Sequence, residues 1–143
     1  MGEGASTREL LLGIIVGMPV LSIVNSIWFG SRLVQYLREQ PHIAGFHDME
    51  KFKRLVAAQM YGALVQILVL ILPGITFAAG FVLKVLGPFD LLFLIVPSAV
   101  VVLVGVYLKG IERRAQTLEV SEEFREEYAR VVYTWIHKPF PTW

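Results

Sequence analysis

Apolar residues run through this chain in three long blocks. Between Glu9 and Arg32 lie 22 residues without a charge, between Arg54 and Lys84 lie 29, and between Asp90 and Lys109 lie 18. A helix needs about 20 predominantly apolar residues, rising about 1.5 Å each, to cross about 30 Å of hydrocarbon. Each block meets that requirement, so the pattern predicts an all-α integral membrane protein with three transmembrane helices. The first block is longer than the apolar core of a cleaved signal peptide, lacks a positive leading segment and has no clean small-x-small cleavage site, so it reads as a retained helix.

The second block is too long for one upright span. Pro73-Gly74 lies two-thirds along it. Proline removes a backbone donor and clashes with the preceding turn, and glycine weakens a helix further. The expectation is a helix over residues 55–72 that kinks or breaks near Pro73-Gly74, with residues 75–83 as a tilted turn or short half-helix. Residues 84–90 then turn into the third span.

A different pattern begins at Ser121. A serine N-cap is followed by Glu122 and Glu123, acids that suit the first turn of a helix. Phe124, Tyr128, Val131, Val132 and Trp135 then recur on one helical face, opposite Glu122, Glu123, Arg125, Glu126, Glu127 and Arg130. This is an amphipathic helix ended by Pro139 and Pro141. Interfacial helices on anionic lipid are rich in Lys and Arg. The acidic excess here points to docking on protein instead, either the chain's own loop or a neighbour. The domain reading is a transmembrane part, residues 1–110, and a cytoplasmic helical tail, residues 111–143.

Charge orients the spans. Eleven of the 13 Lys and Arg residues lie in the first connection or the tail, and only Arg8 and Lys84 lie elsewhere. Cytoplasmic loops are the basic ones, and three crossings put both basic segments on one side. The expectation is an inner (plasma) membrane protein with its N-terminus outside and its C-terminus in the cytoplasm. Trp28, Phe29, Tyr36 and Tyr107 mark the inner interface and Phe89 the outer one.

Composition agrees. Hydrophobic residues make up 55% of the 143 residues and charged residues 17%, and mean hydropathy is +0.60; soluble domains carry about 25% charged residues. No cysteine is present, which excludes disulfides, thiolate metal sites and cysteine nucleophiles. No basic stretch is interleaved with aromatics in the manner of a nucleic-acid surface.

Candidate chemistry is sparse. Inside the spans the polar residues are Asn25, Gln59, Gln66, Thr76 and Ser98, with Ser22 and Ser26 beside Asn25, and none is ionisable. They suit interhelical hydrogen bonds, or a polar track for a small solute. Gly13 and Gly17 form one small-residue ladder on the first helix, and Ser22, Ser26 and Gly30 form a second on another face. Such ladders let helices approach closely. One can face the chain's own helices while the other meets a different subunit. His42, His47 and Asp48, with His137, are weak candidates for a metal at the inner surface, but their spacing matches no firm ligand motif. No nucleophile elbow, zinc-protease helix or phosphate loop is present.

The sequence therefore reads as a non-catalytic accessory subunit of a larger membrane complex. It assembles with other subunits or itself through Gly13, Gly17, Ser22, Ser26 and Gly30, and docks through Phe124, Tyr128, Val131, Val132 and Trp135. No cofactor is implied, though lipid or quinone contacts are compatible with the spans. The rival reading is a homo-oligomeric channel or small-solute transporter lined by Asn25, Gln59 and Gln66.

Overall fold

The computed structural model describes residues 2–143, with side chains from residue 6 onward. Helix accounts for 83% of it. The elements are α1 (Gly2–Glu39), β1 (His42–Ile43), α2 (Phe46–Val82), α3 (Leu91–Ala115), β2 (Glu119–Val120) and α4 (Arg125–His137), with 3-10 turns at Pro88–Asp90 and Glu122–Phe124. Three stretches, Ser6–Glu39, Phe46–Val82 and Pro88–Ala115, are helical, long and apolar enough to cross a membrane.

The break expected at Pro73-Gly74 does not occur, because α2 continues unbroken to Val82. A proline removes one backbone bond, whereas unwinding the segment would break several. Continuing the helix is the smaller loss, and the Pro73 ring is fully buried. The stop comes ten residues later. Lys84 adopts a left-handed φ of 59°. Its N–H donates to Phe81 O, and Val85 N–H donates to Gly80 O at 2.9 Å. This is a Schellman cap with lysine at the place glycine usually takes. Gly80 makes the fold-back possible, since a Cβ there would overlap the Leu86 side chain.

Of the other helix ends, one follows a local rule and one a long-range contact. α1 stops just before Pro41, which disfavours helix in the residue preceding it. Ser121 was expected to cap the tail helix, but its side chain makes no cap bond. Its N–H and Oγ both donate to Ile43 O, at 3.1 and 3.4 Å. That bond extends the two-residue parallel ladder in which His42 pairs with Glu119 and Ile43 with Val120. The tail helix therefore begins with a 3-10 turn, and its α-helical part starts at Arg125.

Contacts group into two compact units. The first comprises residues 2–27 and 66–106, and the second residues 28–65 and 107–143. In the second unit a hydrophobic core gathers Leu33, Tyr36, Ile43, Met49, Phe52, Val56, Met60, Ala115, Tyr128 and Val131. Phe52 stands at its centre, with ring centroids 5.1 Å from Tyr128, 6.1 Å from Tyr36 and 6.5 Å from Trp135. The first unit has fewer buried side chains, notably Ile15, Pro19, Ser22, Ser26, Pro73, Leu86, Asp90 and Val101.

Candidate functional site

The two small-residue ladders of α1 meet different surroundings. Ser22 and Ser26 are buried. Ser26 Oγ accepts a 2.8 Å hydrogen bond from Gln66 Nε2 of α2, while Ser22 Oγ has no partner among the described residues. Gly30 is closed over by Leu108, whose side chain would collide with a Cβ. Around Gly13 and Gly17 nothing lies within 4 Å of where a Cβ would stand. One ladder is thus taken up by the chain's own helices and the other lies open.

The polar residues of the three long helices are spent in a similar way. Gln59 Nε2 donates to the carbonyl of Phe29 at 3.0 Å, and Gln66 binds Ser26. Each glutamine ties α2 to α1. Asn25, Thr76 and Ser98 are half-buried and do not join these bonds.

In the tail, Tyr128 and Val131 are buried in the core of the second unit, with Phe124, Val132 and Trp135 packed against it. Tyr128 Oη donates to Ala115 O at 2.7 Å and accepts from Leu118 N–H at 3.0 Å. Burial pushes the Tyr128 hydroxyl above its ordinary pKa, partly offset by the Leu118 N–H. Lys53 of α2 forms an ion pair with Glu127 of α4. The stripe expected to dock on protein is therefore covered by the chain's own loop and helices. Tyr133 and Ile136 remain exposed on α4.

Among the described residues, no three His, Asp or Glu side chains are grouped so as to hold a metal. His42 and His47 are exposed. Asp48 instead orders the loop, accepting from Gln40 Nε2 at 2.8 Å and from Ala44 N–H at 3.4 Å. His137 stacks on Tyr133 with centroids 4.4 Å apart.

Two features escaped the sequence reading. In the first unit Arg8 pairs with Asp90 at 2.6 Å, while the other Asp90 oxygen accepts from Gly87 N–H at 2.8 Å. The pair ties the start of α1 to the turn before α3, across 82 positions that periodicity cannot relate. In the second unit a cleft of about 320 Å³ opens between the C-terminal part of α1 and the N-terminal part of α2, lined by Arg32, Lys51 and Arg54 together with Phe29, Leu55 and Ala58. One signal was available in the sequence: Arg32 and Arg54 are the charges that bound the first two apolar blocks. The antiparallel pairing of α1 and α2, along which Phe29 meets Gln59 and Ser26 meets Gln66, brings them to one level.

No protein-family model matches the chain, and no curated protein or solved structure is significantly similar to it.

Proposed function

We propose that this chain is a non-catalytic subunit of an integral membrane assembly, built around the open face of α1. It crosses the inner (plasma) membrane three times, with its N-terminus outside and the α1–α2 connection and α4 in the cytoplasm. The observation that carries the reading is the division of the ladders. Ser22, Ser26 and Gly30 are consumed by contacts within the chain, and Gly13 and Gly17 are not. In lipid the hydrophobic effect does not drive helices together, and close approach at small residues does. A second helix, from another subunit or a second copy, fits the Gly13–Gly17 face.

Burial supports the same reading. Only 22%, 11% and 6% of the apolar windows of the three long helices, in chain order, are buried within the chain. So much outward apolar surface needs lipid or protein to cover it. The channel alternative loses support because Gln59 and Gln66 already bond to α1.

The decisive experiment is Gly13→Leu with Gly17→Leu, followed by native mass spectrometry or cross-linking in mild detergent. Open space at both positions allows the variant to fold as before. Loss of the associated subunit is expected; an unchanged assembly overturns the reading, and solute flux by the purified chain in liposomes would restore the channel. The chain has no cysteine, so Phe89→Cys and Glu119→Cys each give a unique thiol. Impermeant reagent added outside is expected to label position 89 and not 119.

A further inference from the structure

We propose that the cleft between α1 and α2 in the second unit binds the phosphate of an anionic phospholipid headgroup. The inference rests on the three-span membrane reading above.

Charge is the first argument. Arg32, Lys51 and Arg54 converge on one cleft, and none of them has a carboxylate within ion-pair distance among the described residues. The one acid on its wall, Glu39, accepts a 2.8 Å hydrogen bond from Gln35 Nε2. Three cations thus face one carboxylate already engaged by an amide. By contrast, Lys53 beside them is bound to Glu50 and Glu127. Two of the three cations are guanidinium groups, whose planar fork suits paired bonds to phosphate oxygens.

Depth is the second argument. Arg32 closes the first apolar block and Arg54 opens the second, which places both at the headgroup level when the helices span. The Arg32 guanidinium lies 4.1 Å from the Trp28 ring centroid, so it is held at the interface, where tryptophan concentrates. Basic pockets between helices at the cytoplasmic face are suited to anionic headgroups.

The apolar part of the lining is the third. Phe29, Leu55 and Ala58 are apolar and suit the glycerol and first acyl carbons of a lipid. A freely soluble phosphate has no use for them, and that selects the lipid as the source of the phosphate. The cleft's volume falls at the small end of ligand sites, consistent with a headgroup.

The test reconstitutes the full chain in phosphatidylcholine nanodiscs containing a minor fraction of phosphatidylglycerol, and native mass spectrometry reads the retained lipid. Wild type is expected to retain phosphatidylglycerol in preference. Each of Arg32→Gln, Lys51→Gln and Arg54→Gln is expected to reduce that preference about fivefold, whereas Arg113→Gln with Arg114→Gln leaves it unchanged. These side chains are exposed, and a thermal melt matching wild type verifies folding. An absent preference in wild type, or one that survives all three substitutions together, overturns the proposal. Inorganic phosphate is titrated onto the detergent-solubilised chain in parallel. Binding there that displaces phosphatidylglycerol and depends on the same three residues would identify a soluble phosphate and overturn the lipid assignment. Carbonate extraction separates the two readings: a chain released from membranes defeats the three-span premise, while one retained without lipid preference defeats only the cleft.

Discussion

The two units of this chain are built from the same three long helices but hold together by different means. The second surrounds Phe52 with aromatic and aliphatic side chains from α1, α2, α4 and the loops, much as a small soluble domain does. The first has little such core. Its order rests on a serine–glutamine bond, a Schellman turn, a glycine under Leu86 and the Arg8–Asp90 pair. The proposed membrane placement accounts for the difference. Where water surrounds the chain, burial of apolar area drives packing. Where lipid is proposed to surround it, apolar side chains gain nothing by turning inward, so shape and hydrogen bonds decide.

Four substitutions test that contrast, each measured by equilibrium unfolding of the purified chain in mixed micelles. Phe52→Ala should cost the most, about 3–5 kcal/mol, the usual range for emptying an aromatic core site. Trp135 fluorescence is expected to report it, since the ring packs edge-on against Phe52. A loss below about 1 kcal/mol would mean that the second unit is not organised around this side chain.

Tyr128→Phe should come next, at about 1–3 kcal/mol, because it leaves Ala115 O and Leu118 N–H unpaired in a buried site. It also carries a pH signature. Folding raises the Tyr128 pKa above its unfolded value, so the folded state favours the neutral hydroxyl. The resulting stability is complete below the unfolded pKa, near 10, and is lost as pH rises through the folded value. Tyr128→Phe should flatten this alkaline loss, and an unchanged slope above pH 10 would contradict it.

Lys84→Gly should instead stabilise the first unit. A left-handed non-glycine residue costs about 1–2 kcal/mol, and part of that gain is offset by the greater freedom of glycine in the unfolded chain. A net increase of about 0.5–1 kcal/mol is expected. Gln66→Leu should cost least, about 0.6 kcal/mol, because the released Ser26 hydroxyl can turn to a carbonyl one helical turn back. If Gln66→Leu matched Phe52→Ala, the contrast between the units would collapse.

Much of this architecture was legible one residue at a time. The apolar blocks predicted helices, because a backbone in lipid is satisfied only by hydrogen bonds within the segment, and each block lies in a long helix. Of the stripe from Phe124 to Trp135, Tyr128 and Val131 are the members that α4 buries, beside Thr134, which the stripe did not include. The break expected at Pro73-Gly74 is absent because one missing backbone bond costs less than unwinding the helix around it.

What sequence alone determined were the properties set by near neighbours: three helices of spanning length, their charged boundaries, the small-residue ladders and the tail's apolar stripe. Tertiary structure decided which ladder is covered, what the tail packs on, and which distant charges meet. It joined Arg8 to Asp90, laid Ser121 against Ile43, and drew Arg32, Lys51 and Arg54 around one cleft. Periodicity tells which side of a helix a residue occupies. What faces that side depends on packing between segments far apart in the chain, which no local pattern records.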